Sequence, residues 1–193
     1  MGDSSTAAET EGLSLVSSSA DQTRRIGEAM GAFCREGDLL ALIGPLGAGK
    51  TCFVRGLAAG LGIDASQVAS PTFVLMHEYE PPKPPQPSGP KESPQSPSGG
   101  LVLVHVDAYR LSSYDELQSI GWEVDGSELG GSAVTAVEWA DRLGENLPAD
   151  RLDIYFEHDG AGEQMRRVTM CPAGRWKQRI DEVRRRLTPP ATK

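Results

Sequence analysis

The chain has 193 residues, which suggests a single domain over 1–193 that is long enough to bury a core. Its formal net charge of −8 argues against unaided binding of nucleic acid, because that affinity comes largely from cations that neutralise phosphates. No apolar run approaches a membrane span, the N-terminus lacks the pattern of a signal peptide, and the three cysteines have no metal-ligand spacing. We therefore expect a soluble cytoplasmic protein with reduced thiols that is a monomer when isolated.

The N-terminal region is predicted to contain a tail, a strand, a helix and a second strand. Residues 1–12 are polar and are expected to be disordered, and residues 13–16 can form a short strand. A helix is predicted to open at Ser18, with Asp21 three residues later in the manner of a capping box. The apolar run 39–43 then has the length and composition of a buried parallel strand.

A glycine-rich motif, Gly-Pro-Leu-Gly-Ala-Gly-Lys-Thr at 44–51, follows this strand. Its spacing is typical of a loop that binds nucleotide phosphates. Glycines let successive backbone N–H groups approach a polyphosphate, Lys50 can reach the terminal phosphates, and the Thr51 hydroxyl can bind Mg²⁺. The apolar spacing of residues 51–61 predicts a helix directly after the loop, whose positive dipole end would add to anion binding. The alternative is a glycine-rich turn that binds no ligand.

The central region contains a proline-rich segment between two predicted strands. Eight prolines lie between Pro81 and Pro97, so residues 81–100 are expected to form an extended, mobile insertion. A ligand for a proline-recognising module is the alternative. The flanking strands, 73–80 and 101–106, are predicted to pair as an antiparallel hairpin, and a helix is predicted over 114–120.

The C-terminal region is predicted to add three strands, 133–137, 151–158 and 165–171, and a closing helix. Residues 188–193 are expected to form a disordered tail. The basic run Arg184–Arg186 is usually a solvated helix face, but it is also the best candidate for a contact with RNA or with an acidic partner. One apolar face of the closing helix is formed by Trp176, Ile180, Val183 and Leu187.

Two carboxylates follow predicted strands. Asp107 follows 101–106, and Glu138 follows 133–137. A nucleotide hydrolase of this type needs an acidic group at the end of a second strand, where it holds Mg²⁺ or polarises water. Because parallel strands end at the same edge of a sheet, both carboxylates could face the nucleotide. The alternative is that one of them only caps a following helix.

Four other residues have two possible roles each. The Thr72 hydroxyl could sense a γ-phosphate, as switch threonines do, or belong to an ordinary strand entry. For His105, which shares a strand face with Asp107, a packed core position is favoured over proton transfer. Trp139 is more typical of packing than of a base-stacking platform. Cys52 has the place of a thiol with a lowered pKa, although a small packing residue is the favoured interpretation.

The base and the reaction class are approached by elimination. Guanine recognition in GTPases uses an Asn-Lys-x-Asp element, and the only asparagine, Asn146, is followed by Leu147. ATP is therefore the default nucleotide. A small-molecule kinase is the main rival, but its usual arginine-rich lid has no counterpart among the scattered Arg110, Arg142 and Arg151. A third possibility is a nucleotide-sensing adaptor that binds without turnover.

Taken together, four motifs resemble the TsaE family, formerly YjeE, the small bacterial ATPase of tRNA threonylcarbamoyladenosine synthesis. They are the glycine-rich motif at 44–51, Ser-Pro-Thr-Phe at 70–73, His-Val-Asp-Ala-Tyr-Arg-Leu at 105–111 and Val-Glu-Trp-Ala at 137–140. Their order and spacing match from about Leu13 to Leu187. The insertion is longer than the family's usual connection. An arginine expected shortly after the 151–158 strand has no clear match, although Glu163, Gln164 and Arg166 lie nearby.

The resemblance implies a P-loop NTPase fold, an α/β three-layer sandwich with a mostly parallel central sheet and an antiparallel hairpin. It implies Mg²⁺-dependent ATP hydrolysis that is weak alone and stimulated by TsaD and TsaB, which modify an adenosine beside the tRNA anticodon. Contact with tRNA would be indirect, through that complex. Thr51 and Glu138 are expected to ligate Mg²⁺, with Lys50, Asp107 and Thr72 in catalytic roles. The expected nucleotide-binding residues are Gly47, Ala48, Gly49, Lys50, Thr51 and Cys52.

Overall fold

The computed structural model describes residues 12–71, 74–82, 100–111, 116, 133–160, 162 and 164–188. The strands within these ranges are β1 (Leu13–Ser17), β2 (Leu39–Ile43), β3 (Met76–Tyr79), β4 (Val102–Asp107), β5 (Ala133–Glu138), β6 (Leu152–His158) and β7 (Arg166–Pro172). The α-helices are α1 (Ala20–Gly31), α2 (Lys50–Gly60) and α3 (Ile180–Leu187). The seven strands form one sheet in the order β1-β7-β6-β2-β5-β4-β3.

The expectation of a mostly parallel central sheet holds for its four middle strands, whereas the sheet as a whole is mixed. The four central strands β6, β2, β5 and β4 run parallel, whereas β1, β7 and β3 pair antiparallel with their neighbours. Consecutive strands joined as hairpins must run in opposite directions, while parallel neighbours need long crossovers, so β3 and β7 reverse at the two sides. The predicted antiparallel hairpin is confirmed as β3–β4.

The start of β3 is later than predicted. The strand was expected from residue 73, but it begins at Met76. The backbone N–H groups of Val74 and Leu75 both donate to the Pro71 carbonyl, and Leu75 has a positive φ of 67°. A turn therefore precedes the strand, because a hydrogen-bonded reversal at Pro71 uses the donors that a ladder would need.

The strand β2 is buried on both faces, as its continuous apolar sequence predicts. Leu40 and Leu42 pack in the same cluster as α1, α2 and α3. Leu39 and Ala41 pack on the opposite side against residues of the turns that follow β4 and β5. The helix predicted at 114–120 lies outside the described residues except for Glu116. Among the helices in the described ranges, none has the length and hydrophobicity needed to cross a bilayer.

Helix α1 begins one residue later than predicted. Ser19, and not Ser18, is the N-cap, and its Oγ accepts a hydrogen bond from the Gln22 backbone N–H at 3.1 Å. The Gln22 side chain accepts in turn from the Ser18 N–H at 2.8 Å. Asp21 pairs instead with Arg24, one turn along the helix, at 2.9 Å. The capping box therefore uses Gln22 as its second member, because the longer side chain reaches back past the cap.

Helices α1 and α2 pack closely through glycines, a contact that the sequence did not predict. Gly27 and Gly31 lie on α1, and Gly56 and Gly60 lie on α2. A Cβ built on Gly56 would stand 1.9 Å from the backbone oxygen of Arg24, closer than any real contact. The two backbones can therefore approach only where side chains are absent. This contact fixes α2, and with it the glycine-rich motif, against the rest of the helical layer.

We predict that Gly56→Ala lowers the free energy of unfolding by about 2–3 kcal/mol, because the added methyl group must push the helices apart. Urea unfolding of the purified variant measures this. Glu28→Ala, at an exposed position of α1, is the control and should stay within about 0.5 kcal/mol of the wild type. A Gly56→Ala variant as stable as the wild type would contradict the close packing.

The proline-rich insertion begins and ends at neighbouring points of the β3–β4 hairpin. A Cβ built on Gly100 would lie 3.1 Å from Pro81 Cγ, so the two ends of the segment already meet. Residues 83–99 lie outside the described residues. The predicted mobility of the insertion is not tested, but its placement between two paired strands is confirmed.

Replacing residues 83–99 with a Gly-Asn turn should leave the protein folded. A shorter loop costs less closure entropy, by about 0.6 kcal/mol for each halving of its length, so the free energy of unfolding should not fall. Thermal unfolding tests this. A midpoint lowered by more than about 5 °C would show instead that the insertion packs on the core.

The closing helix is shorter than predicted, and part of its basic character is structural. Trp176 lies in a 3₁₀ turn that precedes α3. The buried Arg179 pairs with Asp38 at 2.6 Å, and its guanidinium lies 4.1 Å from the Trp176 ring centroid. This pair ties the C-terminal region to the start of β2. Arg185 and Arg186 are exposed and remain the candidates for a partner contact.

Candidate functional site

The glycine-rich loop (residues 44–49) connects β2 to α2, as predicted. Gly47 and Gly49 have φ angles of 74° and 105°, a left-handed conformation that side-chain-bearing residues rarely adopt. Gly49 is also the N-cap of α2. Leu46, at the tip of the loop, is 86% exposed. The backbone conformation of the loop therefore favours glycine at 47 and 49 whether or not a ligand is bound.

The N-terminus of α2 presents unused backbone donors beside the loop. Among the described residues, the N–H groups of Lys50, Thr51 and Cys52 have no backbone hydrogen-bond partner. Such groups at a helix start carry partial positive charge and bind anions. Together with the loop they form a site suited to phosphate oxygens.

Lys50 is held on the loop side of this site. Its Nζ donates to the carbonyls of Gly44 at 2.6 Å and Pro45 at 3.0 Å, and it lies 3.7 Å from the Trp139 ring centroid. Burial lowers the pKa of Lys50, and nearby carboxylates, led by Glu138, oppose that shift. Its direct contacts are with carbonyl oxygens and a ring face, and phosphate oxygens can replace these with stronger, charge-assisted hydrogen bonds.

The two predicted carboxylates stand side by side at the ends of neighbouring parallel strands. Asp107 and Glu138 are register partners and are 2% and 3% exposed. Glu138 Oε1 accepts from the Thr51 hydroxyl at 2.8 Å. Asp107 accepts from the Ser70 hydroxyl at 2.9 Å and from the Tyr109 N–H at 3.0 Å. Asp107 thus also caps a 3₁₀ turn, as the capping alternative had it, and it lines the same cleft as Glu138, while its role at a nucleotide stays a prediction.

These elements enclose a cleft of about 530 Å³. Thr72 lies outside the described residues, so its expected role is not tested. Ser70, two residues earlier in the same motif, does line the cleft. Other lining residues that were predicted from the sequence are Gly47, Ala48, Gly49, Lys50, Thr51, Cys52, Asp107 and Glu138.

Aromatic side chains form one wall of the cleft. The ring centroids of Tyr109 and Trp139 are 4.9 Å apart. The guanidinium carbon of Arg142 lies 4.9 Å from the Tyr109 ring centroid. Trp139 is half-buried and has a positive φ of 58°. It packs as predicted, and it also contacts Lys50 directly. Tyr109 was not singled out from the sequence, although it belongs to the motif at 105–111.

A second, smaller cavity of about 290 Å³ lies on the other side of the glycine-rich loop. Arg166, the first residue of β7, reaches it and donates to the Gly47 carbonyl at 3.3 Å. Of the three residues that lie near the position of the expected arginine, Arg166 is thus beside the glycine-rich loop, and its role there stays a prediction. Thr23 and Gln164 also line this cavity.

Cys52 borders both cavities. Its Sγ lies 3.0 Å from the Ala20 carbonyl. Burial raises the pKa of the thiol, so the possibility of a lowered pKa at the helix start is wrong. Desolvation outweighs the opposing charges of Arg55 and Arg24, which agrees with the favoured interpretation of Cys52 as a small packing residue.

The oxygen ligands in the cleft suit Mg²⁺. Thr51, Asp107 and Glu138 offer hydroxyl and carboxylate oxygens, which this hard cation prefers. In the part of the chain that the structure describes, no three His, Cys, Asp or Glu side chains form a metal-binding cluster. Mg²⁺ usually takes one or two protein ligands and completes its shell with phosphates and water.

A sequence model described as "Threonylcarbamoyl adenosine biosynthesis protein TsaE" matches residues 17–168. The chain belongs to the TsaE family. The resemblance seen in the four motifs is therefore confirmed, although the match covers somewhat less than the span from Leu13 to Leu187.

Individual TsaE proteins align over most of the chain. The tRNA threonylcarbamoyladenosine biosynthesis protein TsaE of Bacillus subtilis is 36% identical over 166 residues, which are 86% of this chain and 89% of the relative. The protein of that name from Treponema pallidum is 38% identical over 136 residues, 70% and 84% of the two chains. The crystal structure of Bacillus subtilis YdiB superposes with a TM-score of 0.63 at 29% identity, covering 90% of this chain and 95% of that one.

Proposed function

We propose that this TsaE-family protein is a Mg²⁺-dependent ATPase that acts with TsaD and TsaB in the threonylcarbamoyl modification of tRNA. Family membership supports the pathway. One observation carries the ATPase activity: Lys50, Thr51, Asp107 and Glu138 converge in one cleft beside the free N–H groups of α2. The proposal includes a P-loop fold and a cytoplasmic monomer that reaches tRNA only through its partners.

The glycine-rich loop and the start of α2 would hold the triphosphate. Backbone N–H groups of Lys50, Thr51 and Cys52 point their partial positive charge at the phosphate oxygens. Lys50 exchanges its two carbonyl partners for the β- and γ-phosphates, where its charge counters the charge that develops during transfer.

Thr51 and Glu138 would hold the metal ion. The Thr51 hydroxyl oxygen already lies 2.8 Å from Glu138 Oε1. When bound, Mg²⁺ neutralises charge on the β- and γ-phosphate oxygens and orients them. The protein's own part is to keep two hard oxygen ligands at one end of β5, beside the loop that holds the phosphates.

Asp107 would orient the water that attacks the γ-phosphate. Its carboxylate is held by Ser70 and Tyr109, so it has little rotational freedom, and an oriented carboxylate can accept a hydrogen bond from water. The contact with Ser70 also links Asp107 to the segment that contains Thr72. This link supports the proposed role of residues 70–73 as a switch that senses the γ-phosphate.

The second cavity would receive the nucleoside. It shares Gly47, Gly49 and Cys52 with the main cleft, so a nucleotide whose phosphates lie in the loop can extend into it. Arg166 also lines this cavity, next to Gly47, and would be placed to approach the ribose or the α-phosphate. The choice of ATP rests on the absence of the guanine-recognition element from the sequence.

The direct test is the release of inorganic phosphate from ATP by the purified protein. We expect slow release with Mg²⁺ and none in EDTA. Transfer of the γ-phosphate to a small metabolite would support the kinase alternative instead. Nucleotide binding without any release, even with both partner proteins present, would support the adaptor.

A further inference from the structure

His105 is a fully buried histidine that touches the proposed metal site. It lies on β4 opposite Ala136 of β5, and Glu138 is two residues further along β5 on the same face. Its Nε2 is 2.9 Å from Glu138 Oε1. Among the described residues, its Nδ1 has no hydrogen-bond partner. Neither the core-packing interpretation nor the proposed ATPase mechanism accounts for this contact.

The chemistry of the contact specifies where the ring proton lies. A carboxylate oxygen only accepts hydrogen bonds, so Nε2 must carry a proton to bond with Glu138. The other neutral tautomer would place two acceptors 2.9 Å apart in a buried place. The contact therefore requires a proton on Nε2 of His105.

The same carboxylate oxygen receives two donors. Glu138 Oε1 accepts from His105 and from Thr51, and the two hydrogen bonds restrict the rotation of the carboxylate. Buried groups that orient a metal ligand in this way commonly change metal affinity about 10- to 100-fold when they are removed.

We propose that His105 is a positioning residue: by donating from Nε2 to Glu138 Oε1, it holds that carboxylate in the orientation that binds Mg²⁺ next to Thr51. This inference rests on the proposed function and deepens it. His105 itself is not among the described residues that line the main cleft. Its effect should therefore appear in the metal dependence of nucleotide binding and not in nucleotide binding as such.

The test compares His105→Leu, which removes the donor, with His105→Gln, whose amide can donate from the position of Nε2. Val104→Ala, next to it on β4 and also fully buried, is the matched control for lost packing. The measured quantity is the ratio of the ADP dissociation constants in EDTA and in Mg²⁺. We expect this ratio to fall about tenfold or more in His105→Leu, with the affinity in EDTA unchanged. It should be largely restored in His105→Gln and unaltered in Val104→Ala.

Two results would overturn the inference alone: a wild-type metal effect that persists in folded His105→Leu, or an equal loss in His105→Leu and Val104→Ala. A wild-type protein whose ADP affinity is indifferent to Mg²⁺ would overturn the proposed metal site as well. The ring itself gives an independent test, since long-range ¹H–¹⁵N correlation spectra of the wild type report the tautomer. We expect protonation on Nε2, and protonation on Nδ1 alone would refute the contact without reference to any nucleotide.

Discussion

Replacing Lys50 by alanine should abolish ATP turnover, with kcat falling at least about 100-fold. Among the described residues that line the main cleft, Lys50 is the one cation. Its Nζ donates hydrogen bonds to the loop carbonyls of Gly44 and Pro45. Without it, charge that develops on the β- and γ-phosphates loses its nearest counter-charge. Phosphate release from ATP at saturating Mg²⁺ measures the effect.

The matched control for Lys50→Ala is Lys177→Ala, which removes an exposed lysine far from the glycine-rich loop and should leave turnover unchanged. Circular dichroism of both variants separates lost chemistry from lost folding. Turnover at the wild-type rate in folded Lys50→Ala would end the interpretation of residues 44–51 as a phosphate-binding loop.

The variants Asp107→Asn and Glu138→Gln should fail in different ways. Glu138 contacts Thr51, so Glu138→Gln should raise the Mg²⁺ concentration needed for half-maximal turnover by about tenfold or more. Asp107 is held by Ser70 instead, so Asp107→Asn should lower kcat by about 100-fold or more while ATP binding changes little. Both substitutions keep the shape of the side chain, which limits the effect on packing.

Turnover measured over a Mg²⁺ series, together with ATP binding by calorimetry, separates these two effects. The division of roles would be contradicted if both variants lost ATP binding equally and kept the Mg²⁺ response of the wild type. It would also be contradicted if the two effects were exchanged between the residues.

Local sequence patterns predicted most of the fold. The seven predicted strands all exist, because a run such as 39–43 or 133–137 is apolar enough to be buried only in a sheet. The order of the strands in the sheet could not be predicted in the same way, because it depends on the crossover connections between strands and not on the sequence of any one segment. The glycines of α1 and α2 were missed for a related reason. Gly27 and Gly56 lie in otherwise ordinary helical sequences, and only the crossing of the two helices shows why no side chain fits.

The parts of the site that lie at the ends of parallel strands could be predicted from the sequence. Asp107 and Glu138 were placed at one edge because parallel strands share that edge, and the structure brings them together. Ser70 and His105 were not assigned to the site, because their contacts with these carboxylates join segments distant in sequence. Arg166 was ambiguous for a different reason. Counting along the chain from 151–158 does not reveal that a hairpin returns β7 to the glycine-rich loop.

The central claim is an ATPase completed by its partners, and one titration tests it most directly. ATP turnover of this protein is measured alone, with TsaB and TsaD, and with both partners and tRNA, using Lys50→Ala as the blank. We predict slow turnover alone and a clear increase with TsaB and TsaD, because an interface at the cleft would order residues 70–73 and the Asp107 turn around the γ-phosphate. ATP should in turn tighten the complex, since coupling between binding sites is reciprocal. Turnover and complex formation that are both indifferent to the partners at low salt, with phosphate transferred to a small metabolite, would contradict the account.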